Sequence, residues 1–340
     1  MKVLITGGCG FLGSNLAAKC LKQGDSVTVL DDLSRKGTET NLSWLKSQGD
    51  FQFFQEDTKN FDAVEAAVKK TTPDVLFHLA GQVAMTTSLE NPRRDFETNV
   101  MGGFNILEAV RKHSPQSIVL YSSTNKVYGD LEVGGFEETE TRYLSKKFPR
   151  GFPETVTLDF QSPYGCSKGA VDQYMLDYAR LFNLKTVVFR HSTIFGGRQF
   201  ATFDQGWVGW FVGLAVQAQK LAYCEPFTIA GTGKQVRDIL FISDLMDCYF
   251  AAIKHIDKSK GQAYNIGGGF ENSLSLLELF KVLESELKVK LEFTRTAWRA
   301  SDQKVFIADT AKAQRDFDFQ PKTSKEEGLR QMIDWVRTPR

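Results

Sequence analysis

The run Thr6-Gly7-Gly8-Cys9-Gly10-Phe11-Leu12-Gly13 constrains this chain more than any other stretch. It follows a β-branched apolar segment, Lys2 to Ile5, and opens a helically periodic one, Leu12 to Gln23, with Leu16, Cys20 and Leu21 on one face. A strand, a glycine turn and a helix in that order allow a tight turn, close backbone approach to a pyrophosphate, and close packing of helix on sheet. Gly7 and Gly10, with Phe11 and Leu12 opening the helix, are expected to hold the phosphates of a dinucleotide.

The alternation continues. Ser26 to Leu30, Phe51 to Gln55, Val75 to Leu79, Ser117 to Tyr121 and Thr186 to Phe189 read as strands, with helical periodicity over Phe61 to Lys70, Phe96 to Lys112 and Tyr164 to Phe182. This predicts an α/β fold, a doubly wound, Rossmann-like parallel sheet. Beyond Arg190 the rhythm becomes irregular, with Gly206-Trp207-Val208-Gly209-Trp210-Phe211 as an aromatic and glycine-rich stretch. Residues 1–190 are therefore read as the NAD-binding domain, with later strand and helix returns. Residues 191–340 are read mainly as a smaller lobe over the carboxyl ends of the strands, where ligands bind in such sheets. The segment from Asp130 to Pro163 is long for a plain connection and is expected to serve a site.

A net charge of +1 provides no field to draw nucleic acid or an anionic membrane. Five widely spaced cysteines form no metal-binding pattern and suit a reducing, cytoplasmic compartment. No run approaches the roughly twenty apolar residues of a membrane span.

Asp31, at the end of the second strand, stands where a carboxylate accepts hydrogen bonds from the adenosine ribose, which favours NAD over NADP. Ser34-Arg35-Lys36 is the competing signal for a 2′-phosphate, but that phosphate would be repelled by Asp31; Asp32 is expected to face solvent. Asp57 is placed either for the adenine amino group or as a turn aspartate. Leu79, Ala80 and Gly81 let backbone pass close to the cofactor. Tyr164 and Lys168 are one helical turn apart, so the ammonium can stabilise the phenolate and bring a pKa near ten toward neutrality. Thr124 supplies a hydroxyl to orient the reacting alcohol. His191 is open to two readings, a contact with nicotinamide or sugar, or a satisfied core histidine. Arg198, Arg237 and Arg299 suit a diphosphate, or surface ion pairs.

Thr6-Gly7-x-x-Gly10-x-x-Gly13, Asp31, Asp57, Tyr164-x-x-x-Lys168 and Arg237-Asp238 resemble the extended short-chain dehydrogenase/reductase family of nucleotide-sugar enzymes, over nearly the whole chain. The stretches Gly81 to Ser88, Ser123 to Gly129, Ser162 to Lys168 and Gly197 to Thr202 are similar to the branch that inverts C2 of a CDP-linked hexose. The resemblance implies tightly held NAD and a catalytic Thr124, Tyr164 and Lys168. It implies a nucleotide-sugar substrate, CDP-linked, with contacts from Gln82, Asn125 and His191 and from Arg198, Gln235, Arg237, Arg299 and Asp302 of the second lobe. It also implies a homodimer or homotetramer. The family's 4,6-dehydratases carry an Asp-Glu pair after the active-site threonine; Asn125-Lys126 replaces it here, which leaves no evident acid for a leaving hydroxyl.

Oxidation at C4 would acidify C3 and C5 but leave C2 untouched, and a 3,6-dideoxy sugar has no C3 hydroxyl to oxidise. Direct oxidation at C2, rotation of the 2-keto sugar and re-reduction is the simplest route to inversion. The alternatives are a 4-epimerase of a UDP- or GDP-sugar, for which the same residues serve, and a non-catalytic NAD-binding sensor.

Overall fold

The structure, a computed structural model, describes residues 1–299 and 302–338. Seven parallel strands form the main sheet: β1 Lys2–Thr6, β2 Ser26–Leu30, β3 Gln52–Phe54, β4 Val75–His78, β5 Ile118–Thr124, β6 Lys185–His191 and β7 Gln262–Ile266. Their order is β7-β6-β5-β4-β1-β2-β3. The chain winds outward one way from β1 and the other way from β4, so the loops leaving these neighbours diverge and open a crevice at the carboxyl ends.

Alternation along each strand feeds two cores. Val3, Ile5, Val29 and Phe77 face one side, and Leu4, Leu30 and Leu76 face the other. Helix Phe61–Thr71 covers the second side with Val64, Ala67 and Val68, and Asn60 caps it by accepting from the Ala63 amide. The first core runs on without a break into the second lobe, through Val208, Phe211, Val212 and Leu279.

Several expected elements change shape. β5 continues past Tyr121 to Thr124, and its hydroxyls find partners there: Ser123 donates to Asp172 at 2.8 Å and Ser122 meets His191 at 3.1 Å. The helix expected over Phe96 to Lys112 is three pieces, Pro92–Phe96, a π-helical turn Glu97–Met101, and Gly102–His113. Asn99 sits in the π turn, accepting from the Gln82 amide at 2.9 Å and donating to the Gln82 carbonyl at 3.1 Å. Residues Gly206 to Phe211, read as irregular, open helix Trp207–Leu221, with Gly206 at φ 76° as its N-cap.

The segment from Asp130 to Pro163 braces the second lobe. Tyr143 and Phe152 pack with Val236 and Val305 to Ala308, and Arg142 forks onto Glu278. In that lobe Val236–Phe241 pairs with Thr193–Phe195, Ser273–Ser275 and Val305–Phe306, while Phe227–Ala230 pairs in parallel with Phe293–Thr296. β7, from well beyond residue 190, joins the main sheet beside β6.

Candidate active site

A cavity of about 700 Å³ lies between the glycine loop and the second lobe, within the usual range for small-molecule sites. No residue from 130 to 163 borders it, so the expectation that this segment serves the site is corrected: its apolar residues are consumed in bracing the second lobe.

The loop end is shaped by backbone proximity. Gly7 lies at φ 68°, and a Cβ on it would sit 2.6 Å from the Ala80 nitrogen; one on Gly13 would sit 2.1 Å from the Gly7 oxygen. Both positions therefore require glycine. Gly10 caps helix Phe11–Lys22 with no side-chain hydrogen bond, leaving the first-turn amides and the positive dipole end for an anion. Gly7, Gly10, Phe11, Leu12 and Leu79 border the cavity, as does Asp57. Ala80 presses on Gly7 from behind, and Gly81, which lies outside the cavity lining, abuts Asn99.

Asp31 is buried, and its oxygens accept from the Cys9 and Leu33 amides at 2.9 Å each. It lies behind the cavity wall, bracing the glycine loop, and each oxygen retains further acceptor capacity. Burial raises its pKa above the ordinary carboxylate value. Asp32, expected in solvent, is exposed yet borders the cavity together with Ser34, Arg35 and Lys36. A cradle of glycine backbone, an uncapped helix start and a braced carboxylate fits a dinucleotide.

At the catalytic corner Thr124, Tyr164 and Lys168 are all buried and all border the cavity. Thr124 ends β5 and caps the turn Asn125–Tyr128 by accepting from the Lys126 amide at 3.2 Å. Its hydroxyl donates to Asn125 Oδ1 at 3.3 Å and lies near enough to the Tyr164 phenol to pull that group's pKa down. Helix Ser162–Phe182 starts beside it: Gly165 passes the Lys126 carbonyl, and Gly169 lets Phe160 pack on the helix.

The electrostatics differ from the expectation. Burial pushes the Tyr164 phenol up to about 12, against the Thr124 hydrogen bond and the Arg35 charge, which pull it down. Burial also brings Lys168 down to about 7, opposed by Asp95 and Asp172. Its Nζ lies 4.4 Å from the centroid of the Tyr121 ring. The protein alone therefore does not bring the phenol toward neutrality, because desolvation outweighs the neighbouring charges.

His191 borders the cavity, but Ser122 meets its Nδ1 and Tyr249 meets its Nε2, each at 3.1 Å. Burial drops its pKa to about 3. Of its two readings, these partners support the neutral, satisfied histidine over the contact with nicotinamide or sugar. Gln82 is similarly engaged: it borders the cavity, and its amide pairs with both backbone groups of Ala84.

On the facing wall, Arg237 donates to the Val236 carbonyl at 2.7 Å, the Gln303 carbonyl at 2.8 Å and Asp302 at 2.8 Å. Asp302 also lies 3.7 Å from Lys126. Asn125 donates to Gln303 Oε1 at 2.7 Å. Where a dehydratase would carry its acid pair, this chain therefore has an amide held by Gln303 and a lysine paired with Asp302. Burial lowers the Lys126 pKa to about 8. Arg198 and Arg299 border the cavity too, one stacked on Trp44 at 4.1 Å and the other on Phe203 at 4.8 Å.

The sequence reading missed Gln303 and Asp204, which accepts from Thr86 and Thr87 at 3.1 and 3.2 Å. It also missed the aromatic wall of Phe203, Trp207 and Trp210. The one available signal was the density of aromatics between residues 200 and 211.

Residues 4–332 match the family described as GDP-mannose 4,6 dehydratase. The chain is 56% identical over 336 residues to the CDP-paratose 2-epimerase of Salmonella typhi, covering 99% of each chain. Its fold is similar to the UDP-glucose 4-epimerase of Thermotoga maritima with UDP-glucose, at 28% identity, TM-score 0.84 and 99% coverage of both chains. It is also similar to the UDP-glucuronic acid 4-epimerase of Bacillus cereus in complex with UDP-glucuronic acid and NAD, at 26% identity, TM-score 0.82 and the same coverage.

Proposed function

Because the chain belongs to the extended short-chain dehydrogenase/reductase family, in its GDP-mannose 4,6 dehydratase group, we propose that it is an NAD-dependent isomerase that inverts C2 of a CDP-linked hexose, CDP-paratose to CDP-tyvelose in type. The observation that carries this reading is the end-to-end 56% identity to a CDP-paratose 2-epimerase. The site supports it, since Thr124, Tyr164 and Lys168 converge on a cavity whose far wall holds Arg237 and Arg299.

Gly7, Gly10 and the first turn of helix Phe11–Lys22 would hold the NAD pyrophosphate, with Asp31 and Asp32 at the ribose side. NAD bound there would supply a hydride acceptor that gives the hydride back. Thr124 orients the C2 hydroxyl, and Tyr164 takes its proton. Lys168, when protonated, stabilises the resulting phenolate. Arg237 and Arg299 keep the diphosphate anchored while the keto sugar turns, and Tyr164 then returns the proton to the oxygen on C2. Asn125 and Lys126, held by Gln303 and Asp302, present no carboxylic acid to a leaving hydroxyl. The observed fit of glycine loop and carboxylate supports NAD as the resident cofactor.

The cytoplasm is supported by the five unpaired thiols, and a homodimer or homotetramer by the exposed Tyr174, Leu181 and Phe182 on helix Ser162–Phe182. No helix among the described residues is long and apolar enough to cross a membrane.

Incubating the enzyme with CDP-, UDP- and GDP-hexoses, without added cofactor, tests the reading by proton NMR of the products. Inversion at C2 of a CDP-hexose is expected; inversion at C4 of a UDP- or GDP-sugar would replace this reading.

A further inference from the structure

Gln235 is, with Asn41 and Gln199, one of the cavity-lining amides in which one half is held and the other half is left over. Its Nε2 donates to the Ala230 carbonyl at 2.8 Å, while Oε1 is buried and accepts no hydrogen bond from the described residues. Turning the amide over would set Oε1 against the Ala230 oxygen, acceptor facing acceptor, so the Ala230 carbonyl dictates which end faces onward. A buried acceptor left unmet is costly. Beside a ligand cavity, its natural partner is a donor brought by the ligand.

The surroundings say which part of the ligand. Gln235 follows the turn Gly231 to Gly233 and immediately precedes strand Val236–Phe241. Arg237, the diphosphate candidate, lies two residues on and borders the same cavity. Two residues of extended chain span roughly 7 Å, which suits one nucleotide held at its phosphates by one residue and at its base by the other. Thr228, Ile229 and Ala230 border the cavity beside Gln235 and offer a strand edge to a flat ring.

We propose that Gln235 Oε1 accepts from the exocyclic amino group of cytosine, and that this contact selects CDP-linked over UDP-linked sugars. The inference rests on the CDP-sugar reading above and assigns its base specificity to one residue. Cytosine carries a donor at C4, where uracil and thymine carry a carbonyl oxygen that would face Oε1 acceptor to acceptor. Uracil can reach the same oxygen only by shifting one ring atom to use N3–H.

The test is equilibrium binding of CDP, UDP and the 5′-diphosphate of 2-pyrimidinone riboside, which lacks the C4 amino group, to the NAD-loaded enzyme. CDP is expected to bind roughly 10- to 100-fold more tightly than either of the others. Gln235→Leu should weaken CDP by that factor and leave UDP within about twofold of wild type. A CDP preference that survives Gln235→Leu, or tight binding of the pyrimidinone diphosphate by the wild type, would overturn the assignment while leaving the CDP-sugar reading intact. A wild-type enzyme that binds UDP as well as CDP would overturn both. Should Gln235→Leu fail to fold, the pyrimidinone measurement on the wild type decides alone.

Discussion

The glycine loop and the arginine wall face each other across one cavity and are built on opposite principles. At the loop, the shape is a property of neighbouring backbone: Gly13 abuts Gly7, and Gly7 abuts Ala80, so deleting side chains suffices. At the wall, every functional group is steered by a partner far away in sequence. Arg237 is fixed by Asp302 and Gln303, and Asn125 by Gln303. The catalytic corner belongs to the first type, with Tyr164 and Lys168 set by one helix and Thr124 by one strand end. The contrast predicts that chemistry and substrate grip can be broken separately.

The largest effect should come from Tyr164→Phe. It removes the proton acceptor with little change in volume, so kcat is expected to fall about 10²–10⁴-fold while CDP affinity and co-purified NAD stay near wild type. Loss of CDP binding in this variant would merge the two regions that the comparison separates.

Arg237→Met should do the reverse. It removes the donor to the Val236 and Gln303 carbonyls and the Arg237 partner of Asp302, which keeps Lys126, so CDP affinity should drop and the fold should lose about 1–3 kcal/mol. Urea denaturation and CDP titration check this. An unchanged KM would remove Arg237 from the diphosphate site.

How the two regions could be read from sequence follows the same division. The glycine loop, the Tyr164 to Lys168 spacing and six of the seven main-sheet strands are local patterns, and all were legible. The strand Gln262–Ile266 was not, because its pairing partner β6 lies over seventy residues upstream. His191 showed its position but not its role: only the fold brings Tyr249 onto its second nitrogen. The Tyr164 to Lys168 spacing puts both residues on one helix side, where they border the cavity, yet the direction of the Tyr164 shift was misread, because spacing does not report burial. Gln303 carried no signal at all, since its importance lies entirely in what Asn125 and Arg237 require.

The smallest effect concerns stability. Burial brings the Lys168 pKa to about 7, below its ordinary 10.5. Between these values the unfolded chain binds a proton that the folded one does not, so folding becomes less favourable as pH falls from about 10 to about 7, and the penalty is complete below that. Lys168→Met in nucleotide-stripped protein should therefore melt above wild type at pH 6, with a smaller gain at pH 9. Equal gains at both pH values would contradict a discharged Lys168.

The central claim is that the catalytic corner works on C2 itself, and a substrate deuterated at C2 tests it most directly. If oxidation occurs at C2 and the same hydride returns, the CDP-hexose epimer formed in ordinary water keeps its deuterium at C2. Loss of that deuterium to solvent during turnover would show deprotonation beside a ketone elsewhere in the ring and would contradict the account.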